Sequence, residues 1–110
     1  MQHKEVEEYI LTMPGSRLDY PFGEGTAVYK TADDKLFALI DEKSQPLRLS
    51  LKCDPLLAQT LRERYESVMP GYHLNKKHWN TIVLTGQLSW AEVKDLIRHS
   101  YLLVTGKEAV

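Results

Sequence analysis

Leu47-Arg48-Leu49-Ser50-Leu51-Lys52-Cys53-Asp54-Pro55 is the stretch from which the fold is read. Three leucines alternate with Arg48, Ser50 and Lys52, the period of a strand with one apolar and one polar face. Arg48 and Lys52 therefore lie on the same, outward face. The alternation stops at Asp54-Pro55, where an aspartate supplies a helix N-cap and a proline fits the first helical position. Leu57, Leu61 and Tyr65 continue as a helical stripe to about Tyr65 or Glu66. A half-buried strand running straight into an amphipathic helix fits an antiparallel sheet covered on one face.

Upstream, Val6, Tyr9, Ile10 and Met13 fall on one helix face, with Glu5, Glu7 and Glu8 around the rest and Pro14-Gly15 as the stop. Asp19-Tyr20-Pro21-Phe22-Gly23 reads as a turn whose aromatics plug the edge of the core. Runs from Thr26 to Lys30 and from Lys35 to Ile40 flank Thr31-Ala32-Asp33-Asp34 and form a hairpin. Downstream, Val68 to Leu74 has no clear period and contains the turn pair Pro70-Gly71. Trp79 to Leu84 is a strand closed by Gly86. Ser89-Trp90-Ala91-Glu92 is a capping box that opens a helix to about Thr105, with Gly106 as its stop. The predicted order is α-β-β-β-α-β-α, a single α+β domain over residues 1–110, with helices on one face of a twisted antiparallel sheet.

The formal net charge is only −1, but it is unevenly spread. Residues 1–42 hold 4 basic and 9 acidic side chains, whereas residues 43–80 hold 7 basic and 3 acidic. Such asymmetry can give a near-neutral domain a positive face. Cys53 is the one cysteine, so an intramolecular disulfide and a four-cysteine metal site are both excluded. The acidic amphipathic start is unlike a secretion signal, and no apolar run approaches a membrane span. These features predict a cytoplasmic protein without a membrane segment.

Function-bearing residues crowd into Pro70-Gly71-Tyr72-His73-Leu74-Asn75-Lys76-Lys77-His78-Trp79-Asn80-Thr81. Lysines neutralise phosphates, asparagine and histidine donate to phosphate oxygens or base edges, and aromatics stack. Phosphate-cradling glycine loops and a nucleophile-elbow serine are absent. His73 and His78 lack metal-ligand spacing, and the intervening lysines disfavour a cation. Cys53 at a strand end reads as packing and not as a nucleophile. No enzyme activity, cofactor or metal is therefore expected.

The chain resembles the MmcQ/YjbR-like proteins of bacteria nearly end to end. The resemblance rests on Tyr20-Pro21-Phe22-Gly23, on Leu51-Lys52-Cys53-Asp54-Pro55, on the segment from Pro70 to Thr81, and on Ser100-Tyr101-Leu102-Leu103-Val104. It implies a frataxin (CyaY)-like fold and DNA binding through a double-wing arrangement of loops. The matching segment runs from His73 to Asn80 (His73, Asn75, Lys76, Lys77, His78, Trp79 and Asn80), with Lys52 in the shorter block. Arg48 joins them from strand alternation. Two alternatives accompany this reading. One is a protein-interaction or metal-handling module using the early acids Glu5, Glu7, Glu8 and Asp19. The other is a small-ligand binder or enzyme with a pocket of Tyr72, His73, His78 and Trp79.

Overall fold

A computed structural model describes residues 2–71 and 74–106. The elements are α1 (His3–Ile10), β1 (Arg17–Asp19), β2 (Thr26–Lys30), β3 (Leu36–Asp41), β4 (Arg48–Lys52), α2 (Pro55–Arg64), β5 (Val68–Pro70), β6 (Trp79–Val83) and α3 (Trp90–Thr105). Six strands form one antiparallel sheet in the order β1-β2-β3-β4-β6-β5. The α+β class and the one-sided helical layer match the sequence reading. The order differs by two strands, β1 and β5. Each has three residues, too few to display a period, and each is defined by pairing with a longer neighbour.

The inward leucines of β4 set the core. Leu49 and Leu51 are buried, and their register partners Ile40, Ala38 and Ile82 share that face. Against it pack Val6 and Ile10 of α1 and Val93, Ile97, Tyr101 and Val104 of α3. A bulge in the β2–β3 pairing leaves Phe37 as the extra residue between Leu36 and Ala38. The bulge turns Phe37 to the helical side, where its ring meets Tyr101 edge-on at 5.3 Å. α2 joins the same layer through Leu61 and Tyr65, which pack against the core, and through Ala58, which is buried.

Helix boundaries follow the local chemistry. Asp54 Oδ2 accepts from the Leu56 and Leu57 amides. Ser89 and Glu92 form the reciprocal capping box, and Gly106 ends α3 in the left-handed region at φ 69°. α1 is one turn shorter than the apolar stripe suggests. Its last residue is Ile10, and Met13 reaches the core from a following turn held by Met13 N–H donating to the Ile10 carbonyl at 3.1 Å.

The aromatic turn is a correction. Tyr20 and Phe22 are 42% and 68% exposed, so this segment does not plug the core edge. The Tyr20 hydroxyl instead donates to Glu42 Oε2 at 3.0 Å, which holds the ring on the surface. The polar face of β4 also differs from expectation. Ser50 is half-buried and its Oγ lies 2.8 Å from Thr81 Oγ1 on β6, so the pair forms a cross-strand hydrogen bond.

Candidate nucleic-acid interface

Lys52 ends β4 opposite Trp79, the first residue of β6. Its amide donates to Ser100 Oγ at 3.0 Å, and that hydroxyl donates to the Phe37 carbonyl at 2.5 Å. One fully buried serine on α3 thus ties the ends of two strands. The next amides are also held: Cys53 N–H donates to the His78 carbonyl at 2.7 Å, and Asp54 N–H donates to His99 Nε2 at 3.1 Å. The β4–α2 junction and the His78 end of the basic loop are therefore one hydrogen-bonded unit.

Between Gly71 and Trp79 the chain closes on itself. Gly71 N–H donates to the Trp79 carbonyl at 2.8 Å, at the mouth of the loop. A Cβ on Gly71 would lie 2.7 Å from Trp79 Cβ, so only glycine allows this approach. Asn75 then starts a single tight turn. Its carbonyl accepts from the His78 and Trp79 amides, and its Oδ1 accepts from Lys77 N–H at 2.9 Å. Asparagine is suited to this because its side chain mimics a backbone acceptor two residues back.

Arg62, on the last turn of α2, braces the loop from beneath. Its Nε donates to Asn80 Oδ1 at 2.6 Å, and its Nη2 donates to the Trp79 carbonyl at 3.1 Å and to the Lys76 carbonyl. Asn80 is buried and passes the connection on, donating from Nδ2 to the Ala58 carbonyl at 3.2 Å. All the acceptors around Arg62 are neutral, so its charge adds to the field of the loop. Lys76 and Lys77 are exposed, and His78 and Lys52 are half-exposed. Lys76 Nζ is 3.4 Å from the Gly71 carbonyl. Among the described residues, none of Lys52, Arg62, Lys76 and Lys77 has a carboxylate within ion-pair distance. Four unpaired cations on one hydrogen-bonded loop and its supports make an anion-attracting surface.

The predicted set divides. Lys52, Asn75, Lys76, Lys77 and His78 come together at the loop. Trp79 and Asn80 are 8% and 2% exposed, which makes them part of the frame and removes them as contacting groups. Trp79 gives no stacking platform, because it is buried; paired with Lys52, it lies on the face of the sheet opposite Leu49 and Leu51. Arg48 is also separated. It faces Asp41 and Val83 at the other end of β4, about 13 Å from Lys52 at the rise of an extended strand. His73, and Tyr72 of the alternative pocket, lie outside the described residues. Arg62 was absent from the predicted set. Its 18-residue separation from Asn80 matches no local period, and an arginine in a final helical turn reads as an ordinary dipole partner.

Comparisons with known proteins agree on the kind of chain this is. A family model described as YjbR matches residues 11–103. The chain is similar to the YjbR protein of Escherichia coli K12, 34% identical over 101 residues that cover 92% of this chain and 85% of that one. It is similar to YbdF of Escherichia coli O157:H7, 35% identical over 102 residues, with coverage of 93% and 83%. Among solved structures it resembles Deinococcus radiodurans DR2400, of family-model domain DUF419, with a TM-score of 0.90 and 40% identity over 97% of this chain and 80% of that one.

Proposed function

This chain belongs to the YjbR family, and on that footing we propose that it binds duplex DNA weakly, in the cytoplasm, through phosphate contacts made by the loop from Leu74 to His78. Lys76 and Lys77 are the principal contacts. Lys52 adds charge at the base of the loop, and His78 and the Asn75 side-chain amide are donors at its rim. Arg62 acts as a positioning residue. The reading includes a frataxin (CyaY)-like fold and a second loop engaging the same duplex, as in a double wing.

The observation that carries the proposal is the gathering of Lys52, Arg62, Lys76 and Lys77 with no carboxylate in ion-pair reach among the described residues, on a chain whose formal charge is only −1. A site with few free cations gives modest, salt-sensitive affinity and little base discrimination. Fluorescence anisotropy with a labelled duplex at two salt concentrations tests it. Lys76→Ala/Lys77→Ala should weaken binding to every sequence alike and reduce the salt slope by about 1 per lysine removed. Affinity indifferent to salt, or unchanged in the double variant, would overturn the assignment.

A further inference from the structure

A second cluster of functional side chains involves none of the residues of the basic loop. His3 and Glu7 stand one turn apart on α1, so both point to the same side of the helix. Glu42 follows the last residue of β3 and meets them there. His3 Nε2 lies 2.8 Å from Glu42 Oε2 and 4.0 Å from Glu7 Oε2, and one ligand atom from each of the three lies within 4.8 Å of the others. Of the early acids noted in the sequence, Glu5 and Glu8 are exposed and Asp19 pairs with Lys30, which leaves Glu7 to the cluster.

Two tyrosines, Tyr29 of β2 and Tyr20 of the turn after β1, hold the carboxylates. Tyr29 OH donates to Glu7 Oε2 at 2.5 Å, and Tyr20 OH donates to Glu42 Oε2 at 3.0 Å. The imidazole behaves differently. His3 Nε2 is shielded from solvent and makes no hydrogen bond, because its close approach to Glu42 lacks hydrogen-bond geometry. A simple ion pair would align N–H with a carboxylate oxygen. Here the nitrogen is directed among two acids that, among the described residues, have no other cationic group within 4 Å.

We propose that His3, Glu7 and Glu42 form a binding site for a divalent transition-metal ion of the zinc class. The atoms around such an ion lie about 2.0–2.2 Å from it, which places adjacent ligands of a tetrahedral set about 3.3–3.6 Å apart. The observed 2.8 and 4.0 Å separations bracket that spacing, so small side-chain rotations close the set. One imidazole and two carboxylates suit a borderline cation and not a soft one. Tyr20 and Tyr29 orient the carboxylates as an outer layer of hydrogen bonds, the arrangement that tunes ligand sites. The three ligands are 24–35% exposed, and His3 and Glu42 line an open cleft with Gln45, Pro46, Leu47 and Leu84, which leaves room for water to complete the coordination.

The test is calorimetric titration of the full chain with Zn2+, with Co2+ absorption spectra alongside. One ion per chain, bound with a Kd at or below about 10 µM, is expected. Glu42→Gln, which leaves the imidazole intact, should weaken Zn2+ at least tenfold, and Glu7→Gln and His3→Ala should do likewise. Tyr20→Phe should weaken it about tenfold through the outer layer. Zn2+ should raise the melting temperature of the native chain and not that of Glu42→Gln, whose own cooperative melt establishes that it is folded. Lys76→Ala/Lys77→Ala should bind Zn2+ normally, which separates this site from the basic loop. Absence of Zn2+ binding by the native chain, or undiminished binding by folded Glu42→Gln and Glu7→Gln, would overturn the proposal.

Discussion

Arg62 Nε and Asn80 Oδ1 meet at 2.6 Å, joining the last turn of α2 to the buried interior of β6. The guanidinium uses its other donors on the Trp79 and Lys76 carbonyls, so one side chain fixes the position of the loop that carries the lysines. Hydrogen bonds from a charged donor contribute about 1.5–3 kcal/mol, and without Arg62 the buried Asn80 Oδ1 loses its donor while Nδ2 keeps the Ala58 carbonyl. Arg62→Ala should therefore lower stability by about 2–4 kcal/mol in urea melts. Arg62→Lys should recover little of it, since an ammonium lacks the planar fork. Pairing Arg62→Ala with Asn80→Ala should give a coupling energy above about 1 kcal/mol. Additive losses would sink the idea of a single brace.

Leu49 has no exposure and sits between Ile40 and Ile82 on the inner face. Leu49→Ala should cost about 2–4 kcal/mol through lost burial and a residual cavity. The neighbouring Ser50→Ala should cost about 0.5–1.5 kcal/mol because it removes the cross-strand hydrogen bond to Thr81. Adding Thr81→Val to Ser50→Ala should restore part of that loss. Denaturant midpoints for the three variants decide it, and equal effects of Leu49→Ala and Ser50→Ala would contradict the observed facing.

Gly71→Ala places a methyl 2.7 Å from Trp79 Cβ and 3.2 Å from Leu74 Cβ. The mouth of the loop must open to admit it, at a cost of about 1–3 kcal/mol for an overpacked site. DNA affinity should fall with it although no charge is removed. Anisotropy and thermal melts on the same variant test both halves, and a stable variant with native affinity would refute the geometry.

Acid should weaken the fold through Glu92 and Asp19. Hydrogen bonds from the Ser89 amide, Tyr65 and Ser89 hold the Glu92 carboxyl below its ordinary range, and hydrogen bonds from Lys30 and the Tyr20 amide do so for Asp19. A carboxyl whose folded pKa is depressed stabilises the fold above its unfolded value, about 4, and loses that contribution as pH falls through the folded value. Both groups are surface-exposed, so each effect is small. Glu92→Gln and Asp19→Asn should each flatten the decline of melting temperature below about pH 4. An unchanged acid limb in both variants would contradict this.

What the sequence disclosed follows from what repeats locally. The alternation of Leu47 to Lys52, the Asp54-Pro55 start and the Ser89/Glu92 box each act within a few residues, and each took the form its pattern implied. β1 and β5 are strands because of β2 and β6, and no period over three residues announces that. The candidate site divides the same way. Clustering of Lys76, Lys77 and His78 is visible along the chain, whereas burial of Trp79 and Asn80 depends on the partner strand and on α2. Arg62 with Asn80, and His3 with Glu42, are encounters across long stretches of chain that composition does not foretell.

The two borders of the sheet are its shortest strands. Arg17–Asp19 and Val68–Pro70 offer three residues each, the first carrying charges at both ends and the second closing on a proline that has no amide hydrogen to give. A neighbouring molecule seeking to extend the ladder would find scarcely one repeat of donors and acceptors before the template ran out. Lengthening of the sheet by a neighbouring molecule is therefore disfavoured at both borders.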